Sequence, residues 1–216
     1  MESRKVLLLN GSPRQGNSLS LATHLSDLLT QRGMACQTLQ VCRMPLDELL
    51  AALTEASVVV LSFPLYVDSL PGALTETLEQ VAERFKGEGR AFVAIVNCGF
   101  PESDQAAVAL DIAQCFALSS GFRWLGGLGM GAGGSIGGRS VAECGGMLRN
   151  VVAGLDLAAE DIRQDREISS ESVRLVGLPL FPHMFYRVMV GQHFRSRAKK
   201  NGAKIYEKPY EWKRRR

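Results

Sequence analysis

Residues 5–18 read KVLLLNGSPRQGNS, an apolar run followed at once by a loop of glycine and small polar residues. A continuous apolar run of this length, ended by Gly11, is typical of a strand that is buried on both faces of a parallel sheet. From Ser18 to Arg32, leucine and alanine recur at helical spacing, and Gly33 ends the segment. The stretch therefore predicts a strand, a loop and a helix in direct succession, which is the beginning of an α/β fold.

The rest of the chain continues this alternation. The predicted strands cover residues 5–10, 34–41, 57–63, 90–97 and 122–128, and the predicted helices cover residues 18–32, 46–53, 72–85, 104–118 and 141–161. Strands that alternate with helices give a parallel sheet with helices on both faces. We predict one α/β domain, a three-layer sandwich with a five-stranded parallel sheet, over residues 1–176, and a C-terminal extension over residues 177–216.

The composition is that of an ordinary globular protein, with 46% hydrophobic and 22% charged residues. The first residues lack the apolar core of a signal peptide, and the longest apolar stretch, 175–186, is interrupted by two prolines and a histidine. Five cysteines and three histidines are scattered in a spacing that fits neither a zinc site nor a disulfide framework. We therefore expect a cytoplasmic protein with reduced thiols, no metal and no membrane span.

Charge is uneven along the chain. Residues 195–216 contain ten Lys or Arg and two Glu, a net charge of +8, which leaves −5 for residues 1–194. A basic tail can bind nucleic acid or an acidic membrane, or it can be a solvated terminus with disorder over residues 213–216. The aromatic Tyr206, Tyr210 and Trp212 favour packing of part of the tail on the domain or on a second subunit. We expect neither a membrane nor a nucleic-acid partner.

The loop from Gly11 to Ser18 follows the first strand and opens the first helix. Backbone N–H groups at a helix start bind phosphate, because the helix dipole adds to their donors. Ser12, Asn17 and Ser18 can add side-chain donors, and Arg14 can add a positive charge. The loop nearly spells a nucleoside-triphosphate-binding sequence, but Asn17 stands where the lysine is required. We therefore predict a site for a single terminal phosphate, and the alternative is a helix-capping turn without a ligand.

Two further loops follow predicted strands. Residues 64–71, PLYVDSLP, place Tyr66 between two prolines, where its ring can rest against a flat aromatic ligand. Residues 97–102, NCGFPE, offer the amide of Asn97 and a close backbone approach at Gly99. Each of these loops, considered by itself, can also be an ordinary strand-to-helix turn without a ligand. Because ligands bind at the carboxyl ends of parallel strands, the three loops together predict a pocket for a planar mononucleotide.

A glycine-rich segment, GMGAGG at residues 129–134, matches a dinucleotide-binding pattern. That pattern belongs in the first strand-to-helix turn, with an acidic residue after the next strand. Here the segment follows the last predicted strand, so we do not expect it to bind a dinucleotide. We interpret it as a wall of the pocket that leaves room for an incoming nicotinamide.

The motifs LLLNGSPRQGNS at 7–18, PLYVDSLP at 64–71 and IVNCGFPE at 95–102 resemble the NAD(P)H-dependent FMN reductases of the flavodoxin-like superfamily. The similarity spans about residues 4–165. It implies a flavodoxin-like fold, FMN as the cofactor and NAD(P)H as the co-substrate. It also implies a homodimer or tetramer, with the flavin near the subunit interface. Cys36 and Cys42 do not match the cysteine motif of the superfamily's iron–sulfur flavoproteins, so we expect no cluster.

The resemblance also implies roles for individual residues. The FMN phosphate would be held by Ser12, Arg14, Asn17 and Ser18. The isoalloxazine ring would be lined by Pro64, Leu65, Tyr66 and Val67, and its polar edge would meet Asn97, Cys98, Gly99 and Phe100. No catalytic acid or base is implied, because the flavin itself takes hydride from NAD(P)H. Electrons would then pass to a small acceptor such as a quinone, a nitro or azo compound, or free flavin.

Two other functions stay open at the level of sequence. A flavodoxin-type electron-transfer protein would bind FMN without reacting with NAD(P)H, but such carriers usually have strongly acidic surfaces and this chain has a pI near 8.7. A non-redox module would bind a partner through the basic tail. The intact loops at 11–18 and 97–100 favour retention of a cofactor, so we expect an FMN-dependent oxidoreductase.

Overall fold

The computed structural model describes residues 4–206, apart from the side chain of His183. The predicted contacts of Tyr210 and Trp212, and the predicted disorder over residues 213–216, lie outside the described residues.

Five parallel strands form a single sheet in the order β2-β1-β3-β4-β5. The strands are β1 (Lys5–Asn10), β2 (Ala35–Gln40), β3 (Val58–Pro64), β4 (Ala91–Asn97) and β5 (Arg123–Met130). Every residue of β4 is buried, as is every residue of β3 except the last, which explains their continuous apolar sequences. This strand order is that of flavodoxin-like folds. The predicted fold class is confirmed.

Helices cover both faces of the sheet. The helices are α1 (Asn17–Gln31), α2 (Leu46–Glu55), α3 (Gly72–Arg84), α4 (Ala107–Ser119), α5 (Arg149–Arg163), α6 (Ser170–Gly177) and α7 (His183–Lys200). One hydrophobic core joins the sheet to α1, α5 and α6, and a second joins it to α2, α3 and α4. The three predicted loops follow β1, β3 and β4, at the carboxyl ends of these strands.

The predicted helix over residues 141–161 is wrong in its first half. Ala142–Leu148 forms a 3₁₀ segment, and α5 begins only at Arg149. A regular helix cannot run through Gly145, which has φ 55° and ψ −142°, a left-handed conformation that no regular helix accepts.

Helix α6 is not among the elements predicted from the sequence. The hydroxyl of Ser169 caps this short helix by accepting a hydrogen bond from the N–H of Ser172 at 3.4 Å. The hydroxyl of Ser172 donates in turn to the carbonyl of Gly154 on α5 at 2.7 Å, and Val176 is buried. A serine followed by SES was the available signal for this helix.

The chain divides into two compact units, residues 1–180 and residues 181–216. The predicted boundary at residue 176 falls within α6, which belongs to the first unit. The described part of the second unit contains α7. Met184, Phe185 and Val188 lie in the amino-terminal half of α7, and most of its cationic residues lie in the carboxyl-terminal half. None of the helices over residues 4–206 has the length and apolar character that a bilayer crossing requires.

Candidate cofactor site

The loop between β1 and α1 presents a row of open hydrogen-bond donors. No acceptor among residues 4–206 takes up the backbone N–H groups of residues 15–19, and no side chain caps the start of α1. The first N–H groups of a helix need an acceptor from outside the helix. A phosphate group supplies such acceptors, and the helix dipole favours its charge. The geometry therefore favours the phosphate interpretation of this loop over that of a helix-capping turn.

Two side-chain amides, the buried Asn10 and the half-buried Gln40, bond to this loop and to each other. The Oδ1 of Asn10 accepts from the N–H of Ser12 at 3.2 Å, and the Nδ2 of Asn10 donates to the Oε1 of Gln40 at 2.5 Å. The Nε2 of Gln40 donates in turn to the carbonyl oxygen of Ser12. Sequence reasoning missed both amides. The signal was an amide at the carboxyl end of each of two neighbouring strands, since Asn10 and Gln40 are direct partners in the β1–β2 register.

Of the four predicted phosphate contacts, two are braced from outside their own loop. The Oδ1 of Asn17 accepts from the N–H of Gly138 at 2.9 Å, so the Nδ2 of Asn17 is left to donate to a ligand. The Oγ of Ser18 accepts from the Nδ2 of Asn97 at 2.7 Å, and its hydroxyl proton remains for donation. Ser12 is buried and its Oγ accepts from the N–H of Arg14 at 3.3 Å, whereas the side chain of Arg14 is exposed.

Asn97 links three parts of the site. Besides Ser18, its Nδ2 donates to the carbonyl of Phe63 at 3.3 Å, and the backbone carbonyl oxygen of Asn97 accepts from the N–H of Leu65 at 2.9 Å. The side chain is 5% exposed. The Nδ2 of Asn97 donates both of these bonds to protein atoms. In this structure the amide therefore holds neighbouring parts of the site in place. Contact between Asn97 and a flavin edge stays a prediction.

The backbone and the thiol of Cys98 bond to neighbouring residues. Its N–H donates to Met130, its carbonyl accepts from Gly133, and its thiol lies 3.5 Å from the carbonyl oxygen of Phe100. Burial raises the pKa of the Cys98 thiol, so this group is protonated at neutral pH. The structure thus places Cys98 as a fixed point between β4 and the glycine-rich loop, with Gly99 and Phe100 exposed beyond it.

The predicted ring contacts lie on the loop after β3. Pro64 and Leu65 are half-buried, whereas Tyr66 and Val67 are exposed. The pairing of Pro64 with Asn97 in the β3–β4 register brings this loop beside that of residues 97–102. All three predicted loops are therefore neighbours at one edge of the sheet.

The glycine-rich segment packs against the loop of residues 97–102. A Cβ atom at Gly131 would lie 2.2 Å from the carbonyl oxygen of Pro101, and one at Gly133 would lie 2.8 Å from the Oδ1 of Asn97. Added Cβ atoms at Gly134, Gly137 and Gly138 would meet no atom within 4 Å. The segment is followed by 3₁₀ turns and α5, and no later strand occurs in the described part of the chain. One side of the loop is thus closely packed and the other faces open space.

The sequence model of one protein family, NADPH-dependent FMN reductase, matches residues 4–159. The chain belongs to this family. The match covers most of the first compact unit and includes all three loops described above. As an NADPH-dependent FMN reductase family member, the protein is an FMN-binding flavoprotein of the oxidoreductase class. A search of curated protein sequences found no match.

Solved structures support the fold of this FMN reductase family member. A flavodoxin from Streptococcus pneumoniae TIGR4 is 13% identical, with a TM-score of 0.57, over 74% of this chain and 99% of that one. An apo NADH:FMN oxidoreductase is 16% identical, with a TM-score of 0.56, over 83% and 97% of the two chains. A candidate quinone reductase from Klebsiella pneumoniae is 14% identical, with a TM-score of 0.56, over 77% and 87%. At such identities the similarity is one of fold.

The residues of this family member fit the phosphate end of FMN. The open N–H groups of residues 15–19 match a phosphate dianion, and Asn17 and Ser18 each keep one side-chain donor beside them. The predicted ring contacts lie on the two neighbouring loops. Their individual roles stay predictions.

Proposed function

We propose that the protein oxidises NAD(P)H and passes the electrons through FMN to a small acceptor. The net reaction combines NAD(P)H, one proton and an oxidised acceptor, and gives NAD(P)⁺ and the acceptor reduced by two electrons and two protons. Bound FMN would supply the ring that accepts hydride and releases the electrons. The observation that carries the proposal is the row of open donors at residues 15–19, directly beside a glycine-rich loop with open space on its outer side.

The protein's own groups would bind and orient the cofactor. The N–H groups at the start of α1, the Nδ2 of Asn17 and the hydroxyl of Ser18 would hold the phosphate, and Arg14 would add a positive charge. Asn97 would fix Ser18 in place. The loop after β3 would supply an apolar surface against one face of the ring, and the outer side of residues 134–138 would receive the nicotinamide.

The flavodoxin-type carrier is the second candidate, and the overall pI does not exclude it. Residues 181–216 contain eleven Lys or Arg and two Glu, a net charge of +9, so residues 1–180 carry −6. The family unit is therefore acidic by itself, and acidic surfaces suit electron carriers. The open side of the glycine-rich loop favours the enzyme, because a carrier has no need to admit a nicotinamide.

Absorbance spectra separate the two candidates. The purified protein, saturated with FMN and freed of excess, should show flavin bands that bleach when NADPH or NADH is added without air. The faster of the two donors identifies the physiological co-substrate. Bands that persist would support the carrier instead. A protein that retains no flavin would contradict both.

We propose further that the protein forms a homodimer or tetramer through residues 181–216. Two observations support this. The segment carries +9 while residues 1–180 carry −6, so a second copy offers an acidic surface. The described part of the segment also exposes Met184 by 80%, Phe185 by 57% and Val188 by 55%.

Changing Met184, Phe185 and Val188 together to serine should therefore reduce the mass measured by light scattering, and added salt should do the same to the unchanged protein. Gln192→Ala, on the same helix, is the control and should keep the mass. An unaltered mass in the triple variant would contradict oligomerisation through residues 181–216.

The predicted cytoplasmic location is a separate proposal, supported by five unpaired cysteines and tested by cell fractionation.

A further inference from the structure

Helix α4 is apolar on its exposed side as well as on its buried side. The residues that pack on the core are small and fully buried, namely Ala109, Ala113 and Ala117. The opposite side, which we call the apolar side of α4, consists of Val108, Ile112 and Cys115, at spacings of four and three residues. Val108 is 56% exposed and Ile112 is 38% exposed, and Asp111 is the only charged residue of the helix. A helix that is apolar all round is normally buried, so this side has the character of a surface that another element covers.

Helix α3, the neighbour of α4, carries a row of carboxylates. The two helices contact each other and share one hydrophobic core. The acidic row of α3 consists of Glu76, Glu79 and Glu83, which are exposed and lie on one side of the helix. Like charges at this spacing destabilise a helix, and none of the three carboxylates forms an ion pair with another described residue. Residues 44–83 contain seven Asp or Glu and no Lys, Arg or His, so the row favours a cationic partner.

Helix α7 combines an apolar half with a basic half. Its amino-terminal half exposes the apolar side chains of Met184, Phe185 and Val188. Its carboxyl-terminal half, residues 192–200, contains four Lys or Arg and no Asp or Glu. With 18 residues, α7 is about 27 Å long, whereas helices that pack side by side lie about 8–10 Å apart. A helix of this length can therefore contact two neighbouring helices at once.

We propose that α7 of one copy packs across α3 and α4 of a second copy. The apolar half of α7 covers the apolar side of α4, and its basic half pairs with the acidic row of α3. Because every copy carries both surfaces, two copies can exchange their α7 helices and leave neither surface unpaired. This inference rests on the proposed oligomer and adds the surface that receives residues 181–216.

An exchange of charges tests the pairing between α3 and the basic half of α7. Glu79→Lys combined with Glu83→Lys places cations opposite cations. It should raise the dissociation constant of the oligomer about 100-fold, measured by sedimentation of a dilution series, because like charges across an interface repel. Adding Arg195→Glu and Lys199→Glu to the same chain restores opposite charges and should recover most of this loss.

Asp27→Lys combined with Glu167→Lys is the matched control, because it changes the net charge by the same amount. Asp27 lies on α1 and Glu167 follows α5, and both of these helices cover the opposite face of the sheet. The control should keep the dissociation constant of the unchanged protein. An equal loss in the control, or a loss that the exchange of charges does not recover, would overturn the pairing with α3.

The exposed thiol of Cys115 reports whether the apolar side of α4 is covered. Its reaction with a maleimide can be followed by mass spectrometry of the peptide that contains it. Cys115 should lose most of its reactivity as the protein concentration rises above the dissociation constant of the oligomer. The variant with Met184, Phe185 and Val188 changed to serine should keep full reactivity, because its α7 no longer covers α4.

The outcomes separate this inference from the proposed oligomer. If the protein is oligomeric but Cys115 reacts equally at all concentrations, the packing on α4 is overturned and the oligomer stands. If Cys115 is protected at every dilution and the triple serine variant removes that protection, α7 covers α4 of its own chain and the exchange between copies is overturned. A monomeric unchanged protein would contradict the proposed oligomer itself.

Discussion

Replacing Asn17 and Ser18 together by alanine is expected to raise the dissociation constant for FMN about 100-fold. Each residue retains one side-chain donor beside the open N–H groups at the start of α1. A hydrogen bond to a charged acceptor contributes about 1.5 kcal/mol or more. Two such bonds amount to about 3 kcal/mol, which corresponds to roughly 100-fold in affinity. Quenching of flavin fluorescence during a titration measures the constant without depending on activity.

Riboflavin, which lacks the phosphate, makes this experiment specific. The unchanged protein should bind FMN far more tightly than riboflavin, and the double variant should lose most of that preference. Ser20→Ala is the control, because the Ser20 hydroxyl bonds the carbonyl of Gly16 at 3.3 Å on the same helix. Its FMN affinity should stay within about twofold of the original, because this hydroxyl is committed to Gly16 and a change away from the ligand costs within about 0.5 kcal/mol. A double variant that keeps its preference for FMN would contradict the phosphate assignment.

Gly131→Ala is expected to lower the free energy of unfolding by about 3 kcal/mol. The added Cβ would lie 2.2 Å from the carbonyl oxygen of Pro101 and 2.8 Å from its carbonyl carbon, so backbone must move. Overpacking against a rigid neighbour costs about 1–3 kcal/mol or more. A domain of this kind is stable by only about 5–15 kcal/mol. Urea denaturation, followed by circular dichroism, measures the change.

Gly134→Ala, three residues along the same loop, is the matched control. Its added Cβ would meet no atom within 4 Å, so we expect a change within about 0.5 kcal/mol. Equal effects at the two glycines would show that the loop is not packed against Pro101 as the structure has it. Gly131→Ala should also weaken FMN binding, since Pro101 follows Phe100 on the loop beside the candidate site.

Much of the fold could be predicted from the sequence because its central strands are buried on both faces. The runs at 57–63 and 90–97 match β3 and β4 to within one residue at either end. The first half of the predicted helix at 141–161 is wrong because Gly145 adopts a left-handed conformation, which glycine permits but which a helical spacing pattern does not reveal. The helix α6 has only 8 residues, about two turns, so its pattern repeats too few times to predict a helix.

The sequence predicts which loops form the site, but it does not predict the hydrogen bonds between their residues. The sequence predicts Ser12, Ser18 and Asn97 as separate contacts to the cofactor. The structure pairs Ser18 with Asn97, which lie 79 residues apart in the chain. It also places Asn10 and Gln40 beneath Ser12. Such partnerships follow from the parallel register of the strands, which no local pattern specifies.

The brace at Asn97 has a consequence for how this sequence can vary in evolution. The Nδ2 of Asn97 donates to the Oγ of Ser18. A Cβ added at position 133 would lie 2.8 Å from the Oδ1 of Asn97 and 3.0 Å from the Cβ of Asn97. A side chain at 133 therefore crowds Asn97 and also the carbonyl oxygen of Cys98, 3.2 Å away, and replacing Asn97 to make room leaves Ser18 without its donor. Positions 18, 97 and 133 should be substituted together in related chains or not at all. Homologues that combine Asn at 97 with a bulky residue at 133 would refute this linkage.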